Sequence, residues 1–509
     1  MFVNIPAGEI RVATGEPFSW NARWVRSIRE LWKLSTITTQ LNLGELKLTK
    51  SELIATNLPH PTAAQHSAKL GILIISYLFP PAGGIAVQRA LSLAKYLPAS
   101  GFEVHILRAS NAAAPVMDPA LCRHVPKSVS VHSAFTPEIG FWLRHTIWNW
   151  LSQRRTGSTA QAGLHSSPLP NRGLRAFVAG LFRRILCPEP EVLWFPFAVR
   201  QANRVVRQHA IDVVMVTAPP FSAFLVGNAL KRRFPHLKYV ADFRDEWISF
   251  YLKDFEFQSS EHTRRRAMQV ERDTVESADL VVAVTESSLQ EIRNRHPGQP
   301  NRKFRCISNG FDPEAFKDYR PRQNREKHLV VTHVGTVYRT ASPQYYLDAL
   351  DELPEEIRSG IESRFIGRID EAERHQFEGR MSIVRVLGFM PQIEALRAME
   401  ETDCLLLTMT NEISVPGKLY EYLAARKPII ALSPQGGEVQ KLMSLIGAGW
   451  CVDYRKRTAI QSLMRHLYLE KATCGCVKFR NPDAEVVRQY DRSRLVANYA
   501  SSLASILSR

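Results

Sequence analysis

Short apolar runs recur along this chain, most of them closed by a turn rich in glycine, proline or serine. LGILIISYLF (70–79), IDVVMVTAPP (211–220), LKYVADFRDEW (237–247) and ADLVVAVTE (278–286) are four of them. HLVVTHVGTVY (328–338), SRFIGRID (363–370), SIVRVLGFM (382–390), CLLLTMT (404–410) and KPIIALS (427–433) continue the series. Apolar runs of this length without strict alternation are the mark of strands buried on both faces of a parallel sheet. EVHILRA (103–109) and KFRCISNGFD (303–312) read as further strands. Between them lie helical patterns: VQRALSLAKYLPASG (87–101), FSAFLVGNALKRRF (221–234), a charged helix over 261–276, SSLQEIRNRH (287–296), SPQYYLDALDEL (342–353) and KLYEYLAAR (418–426). The serines at 287 and 288 are expected to cap their helix. A repeated strand–loop–helix–strand unit builds a doubly wound sheet.

The series is broken once, by the basic, polar stretch FKDYRPRQNREKH (316–328), which reads as a linker. At 509 residues the chain is also too long for one core. The expected fold is therefore α/β, with two Rossmann-like doubly wound domains facing each other across a cleft. Residues 1–68 form an extension without a motif. Residues 69–318 form the first domain and 326–475 the second. Residues 476–509 are helical and cross back to the first. Ligands of such sheets bind at the carboxyl ends of strands, so the cleft is the expected site.

Charge changes the picture. The net charge is +17, which points to anionic partners. Residues 139–188 contain no Asp or Glu. They carry Arg144, Arg154, Arg155, Arg172, Arg175, Arg183 and Arg184 among Phe141, Trp142, Trp148, Trp150, Phe177 and Phe182. That composition fits helices lying in a membrane interface, with arginine over anionic headgroups. No apolar run is long enough to span a bilayer, and the first residues lack the basic and apolar regions of a signal peptide. The seven cysteines show no paired spacing for structural zinc and fit a reducing compartment. The expected location is cytoplasmic, peripheral on the inner face of the plasma membrane. A nucleic-acid-binding protein is a competing reading of the charge. Against it, the arginines alternate with Trp, Phe and Leu instead of lining a groove with stacking aromatics.

Five motifs carry candidate chemistry. In PPAGGIAVQR (80–89), Gly83 and Gly84 let backbone approach a ligand at a helix N-terminus. In ADFRDEW (241–247), Asp242, Arg244 and Asp245 sit at the end of an apolar strand, either paired or functional. In VGTVYR (334–339), Gly335 allows close approach and Arg339 is placed to meet a phosphate. In SVPGKLYEYLAARKPII (414–430), Lys418 opens a helix and Glu421 points nearly the same way three residues on. A cation for a diphosphate beside a carboxylate for a ribose diol suits a nucleoside diphosphate. LSPQGGEV (432–439) adds Gly436, Gly437 and Glu438 at another strand-to-helix loop.

In this order, over residues 69 to 500, these motifs resemble retaining glycosyltransferases of family 4, which have the GT-B fold. ADLVVAVTESS and CISNGFDPEAF resemble the strand pair leading out of that family's first domain. The resemblance implies a nucleotide-diphosphate-sugar donor, with Glu421 on the ribose and Lys418 on the phosphates. It implies transfer with retention to a saccharide or lipid-linked acceptor, in cell-surface polysaccharide or glycolipid synthesis. The Gly83–Gly84 loop and ADFRDEW would lie on the acceptor side. Two places depart from the pattern. Many relatives carry a second glutamate eight residues before the ribose glutamate; here that place is Ile413, leaving its role to Ser414 or to backbone N–H groups. The basic residue that often follows the GTxY turn by three positions is Ala341, while Arg339 comes earlier.

No D-x-D motif occurs, so no metal and no cofactor are expected. Arg339, Lys418 and the Gly436–Gly437 loop would stabilise the leaving diphosphate instead. The leaving phosphate oxygen can itself accept the acceptor's proton, so a dedicated base is not required. The other enzyme reading is a GT-B sugar-nucleotide 2-epimerase, which would act in free solution.

Overall fold

The computed structural model describes residues 69–114, 116–137, 186–252, 260–380 and 382–509. The extension 1–68, and the membrane-interface stretch 139–188 up to residue 185, lie outside the described residues.

The first sheet has seven parallel strands: β1 Leu70–Ser76, β2 Phe102–Ala109, β3 Ser130–Ala134, β4 Ile211–Ala218, β5 Lys238–Phe243, β6 Leu280–Ala283 and β7 Phe304–Cys306. Their spatial order is β3-β2-β1-β4-β5-β6-β7. The second sheet has six: β8 Leu329–Val334, β9 Ile361–Ile366, β10 Val384–Gly388, β11 Cys404–Thr408, β12 Ile429–Leu432 and β13 Gly449–Val452. Their order is β10-β9-β8-β11-β12-β13. In both sheets the winding reverses beside the first strand, between β1 and β4 and between β8 and β11. Those two switch points are where a doubly wound sheet opens its ligand crevice.

The apolar runs are strands for the expected reason. Ile72, Leu73, Ile74 and Ile75 are all fully buried, odd residues against one helical layer and even residues against the other. The edge strands behave differently. β3 (SVHSA) is largely exposed and β13 (GWCV) is only half-buried, so neither needs an apolar run. Helix Glu286–Arg295 is capped by Thr285, whose hydroxyl accepts the Ser288 N–H at 3.1 Å. The serines expected to cap it lie inside its first turn instead.

The chain passes between the sheets twice, at one place. Ile307 belongs to the first core and Phe311 already to the second. On the return, Val487 packs in the second core and Leu495 in the first. The two passages are hydrogen-bonded side by side. Phe311 N–H donates to Tyr490 O, and Arg492 N–H donates to Phe311 O, each at 3.0 Å. At Gly310 a Cβ would lie 2.1 Å from Tyr490 O, so no side chain fits there. The last helix, Arg492–Leu507, buries Tyr499, Leu503 and Ile506 against helix Ile85–Tyr96 and the first sheet. Each such side chain contributes roughly 1.5–3 kcal/mol by leaving water.

Candidate active site

Lys418 is the centre of the donor side. It sits one residue into helix Gly417–Ala425, whose N-cap position is Pro416 and which has no side-chain cap among the described residues, so the helix N-terminus keeps its preference for an anion. Gly335 follows β8 directly and turns at φ +131°. A Cβ there would lie 3.5 Å from Lys418 Nζ, so the glycine and the lysine of two separate motifs share one wall. Lys418 Nζ is 3.1 Å from His333 Nε2. His333 Nδ1 is 3.1 Å from Leu406 O, which can only accept. Nδ1 therefore carries the proton, and Nε2 accepts from the ammonium. Burial, with Lys418 adjacent, holds the His333 pKa well below its usual value and keeps the ring neutral. Burial also brings the Lys418 pKa down to about 7. His333 was not singled out in the sequence, where it reads as one more position of a buried strand.

Glu421 lies one turn along the same helix. Burial raises its pKa, and Arg492, with Nη2 3.9 Å from Glu421 Oε1, opposes that rise. Arg492 comes from the returning segment and is itself held by Gly310 O at 2.8 Å and Gln88 Oε1 at 2.7 Å. The loop before the helix is fixed by Asn411, whose Oδ1 accepts the N–H groups of Ile413 and Ser414 at 2.9 and 2.8 Å. Asn411 thus engages these two backbone N–H groups. Arg339 is exposed at the turn Arg339–Ala341 that follows Gly335.

The third donor loop meets the other domain. Gly436 is exposed at φ +78°, and its N–H donates to Gln440 Oε1 at 2.5 Å. Gly437 precedes helix Glu438–Ile446. Glu438 accepts from Ser287 of the first domain at 2.5 Å and from Lys441 at 2.9 Å. Close by, Thr285 Oγ1 donates to Ile413 O at 2.7 Å. The ESS motif of the first domain therefore closes one side of the cleft against the donor loops.

On the opposite wall, Gly83 is buried, and Gly84 is exposed at φ +80° just before helix Ile85–Tyr96. Ile85 projects across the cleft: a Cβ on Gly417 would lie 2.7 Å from its Cδ1. Asp242, at the end of β5, is fully buried. Arg89 Nε and Nη2 donate to its two oxygens at 2.9 Å, and Tyr499 donates to Oδ1 at 2.7 Å. Arg89 also donates to Ile307 O and Ser308 O, at 2.9 and 3.0 Å, in the passage between the sheets. Asp242 thus turns inward, into a buried network joining β5, helix Ile85–Tyr96, the passage and the last helix. Arg244 donates to the carbonyls of Ala86 and Pro219 and so fixes the base of the Gly83–Gly84 loop. Asp245 alone of the three borders the cleft. Burial raises its pKa against the pull of Arg244 and Arg89, and the pKa of Tyr338 from the other domain is raised by burial first and then by the nearby charge of Asp245.

The structure thus gathers Gly84, Asp245, Gly335, Lys418 and Glu421 around one interdomain cleft and keeps Asp242 out of it. Two switch-point sheets joined by a paired passage, with a lysine at a helix N-terminus between them, define a GT-B protein. Residues 164–315 match the family model described as Glycosyltransferase Family 4. The match covers part of the first domain, and the fold of the described residues is the two-domain GT-B fold.

A curated relative, "Probable glycosyltransferase WbjE" of Pseudomonas aeruginosa, is 24% identical over 144 residues, 28% of this chain. The match spans 35% of that relative's length. HepE of Anabaena, solved with UDP and with UDP-glucose, shares 16% and 15% identity with a TM-score of 0.54 in each case. Both matches cover 86% of this chain and 100% of HepE. Sucrose-phosphate synthase of Thermosynechococcus elongatus reaches a TM-score of 0.60 at 14% identity, covering 86% of this chain and 99% of its own. WaaG, described as a glycosyltransferase involved in lipopolysaccharide biosynthesis, gives 0.54 at 14%, covering 84% and 98%.

Proposed function

We propose that this chain is a glycosyltransferase that takes a hexose from a nucleoside-diphosphate-sugar and transfers it with retention. The observation that carries the proposal is the wall formed by Lys418, Gly335 and the N-terminus of helix Gly417–Ala425, with Glu421 one turn on. Lys418 and the helix N-terminus meet the diphosphate, and the leaving charge develops against them. Glu421 takes the ribose hydroxyls. The contacts of Ser287 with Glu438 and of Thr285 with Ile413 hold the domains together, which shields the donor from water. This assignment needs no metal and no cofactor. The UDP and UDP-glucose complexes of HepE, a protein of the same fold, support a nucleotide-sugar donor.

The test is thermal stabilisation by UDP, GDP, ADP, CMP and dTDP, with and without magnesium. At about 100 times its dissociation constant a ligand stabilises by roughly 2.7 kcal/mol, a shift of a few degrees. One nucleoside diphosphate is expected to shift the wild type without metal and to leave Glu421→Ala unmoved. Silence from all five would remove the donor site. NMR of the product's anomeric centre decides retention.

The acceptor is proposed to be lipid-linked, with the enzyme on an anionic cytoplasmic membrane face in polysaccharide or glycolipid synthesis. The acid-free stretch supports this. So does helix Phe195–Gln208, which follows it and turns Arg200, Arg204 and Arg207, together with Arg233, into an open hollow of about 520 Å³. Co-sedimentation with anionic vesicles, lost in high salt and missing with neutral vesicles, is the expected result. Equal binding to both vesicle types, or to neither, would count against it.

A further inference from the structure

Three histidines that the cleft does not use meet on the first sheet. His105 lies on β2, His132 on β3 and His209 directly after helix Phe195–Gln208. His132 pairs opposite Leu107, and the odd-numbered positions of β2 face the side that this helix covers. The chain then turns back over the start of β1, so close that a Cβ on Gly71 would lie 1.8 Å from Ala210 O. That approach brings His209 over the other two. One ring nitrogen from each of the three lies within 4.8 Å of the others.

The finer geometry is that of a ligand set. His105 Nδ1 and His132 Nε2 are 3.1 Å apart. Two nitrogens on a tetrahedral zinc, each bonded at about 2.0–2.1 Å, sit roughly 3.4 Å apart. His105 Nε2 is 3.3 Å from Glu103 Oε1, the carboxylate backing that aims the opposite ring nitrogen at a metal. The C-terminal end of helix Phe195–Gln208, whose last carbonyls favour a cation, reaches the same place. We propose that His105, His132 and His209 bind a transition-metal ion, zinc foremost, with Glu103 orienting His105 and a fourth position left for water. Three imidazoles suit zinc, copper or nickel. The bound ion ties β2, β3 and the helix together, and so joins the elements on either side of residues 138–185. Sequence spacing gave no sign of it, because the three ligands come from separate elements.

The experiment uses tag-free full-length protein, stripped of metal by a chelator and titrated with zinc by calorimetry. Wild type is expected to bind one zinc per chain at about micromolar affinity or tighter. His209→Ala, at the half-exposed ligand, and His132→Gln are each expected to weaken binding by about tenfold or more, with unchanged circular dichroism. Cobalt in place of zinc is expected to give the visible absorption of a tetrahedral ion in the wild type alone. Wild type binding zinc no more tightly than the His132→Gln/His209→Ala double variant would overturn the proposal. A simple hydrogen-bonded histidine stack predicts that outcome.

Discussion

Replacing Lys418 by alanine is expected to lower kcat/KM for the nucleotide-sugar by about 10²–10³-fold, the effect of removing one preorganised donor from a developing oxyanion. The pH dependence makes the expectation specific. Burial takes the Lys418 pKa from 10.5 to about 7. The diphosphate needs the ammonium form and is itself fully ionised above about pH 7. Nucleotide affinity should therefore fall as pH rises above about 7, by up to tenfold per unit, with a proton taken up on binding. Calorimetry in buffers of different ionisation enthalpy measures that uptake. Lys418→Ala should bind weakly and without this slope.

Stability should move the other way. Between about pH 7 and 10.5 the unfolded chain holds a proton on this lysine that the folded chain has lost, so this group's penalty lifts as pH rises through that window. Below pH 7 the penalty is complete. An affinity flat from pH 7 to 9 in the wild type, or a variant within about threefold of wild-type kcat/KM, would remove Lys418 from the phosphate.

Asp242→Ala is expected to destabilise the fold by about 3–5 kcal/mol, because it leaves the Arg89 guanidinium buried without its carboxylate. The melting temperature should fall by roughly 10 °C. Arg89 would keep the carbonyls of Ile307 and Ser308, but these carry no full charge. The double variant Arg89→Leu/Asp242→Leu should recover part of the loss, since an apolar pair avoids the stranded charge. Denaturant titration of the three variants gives the cycle. A single-variant loss under about 1 kcal/mol would mean that Asp242 is exchangeable with solvent and free to meet an acceptor.

The inner strands of both sheets were legible because each is a local apolar run, and the cleft was expected from the order of elements. Gly335, Lys418 and Glu421 were legible as well, since each sits at a strand end or helix start that its own neighbours declare. What the sequence hides is pairing over distance. Arg89 looks like a helix surface residue, Asp242 like a strand-end acid and Tyr499 like part of a late helix; only the fold makes them one network. His333 reads as a buried strand position until Lys418 lies over it. Asn411 engages the amides of Ile413 and Ser414 through a turn that one-residue motif matching does not register. β3 and β13 are missed for the opposite reason: at the sheet edges they have less to bury, so they leave no pattern.

The return of residues 492–507 to the first core also sets an order of events during synthesis. The ribosome makes β1 to β7 first, yet Tyr499, Leu503 and Ile506 of that core emerge only after the whole second sheet has been translated. While the second domain is being made, Arg89 and Asp242 have each other but lack the Tyr499 hydroxyl, and helix Ile85–Tyr96 shows an uncovered apolar face. The first domain therefore stays incomplete until residues 492–507 have left the ribosome, and a premature stop before Arg492 would leave its core without Tyr499, Leu503 and Ile506.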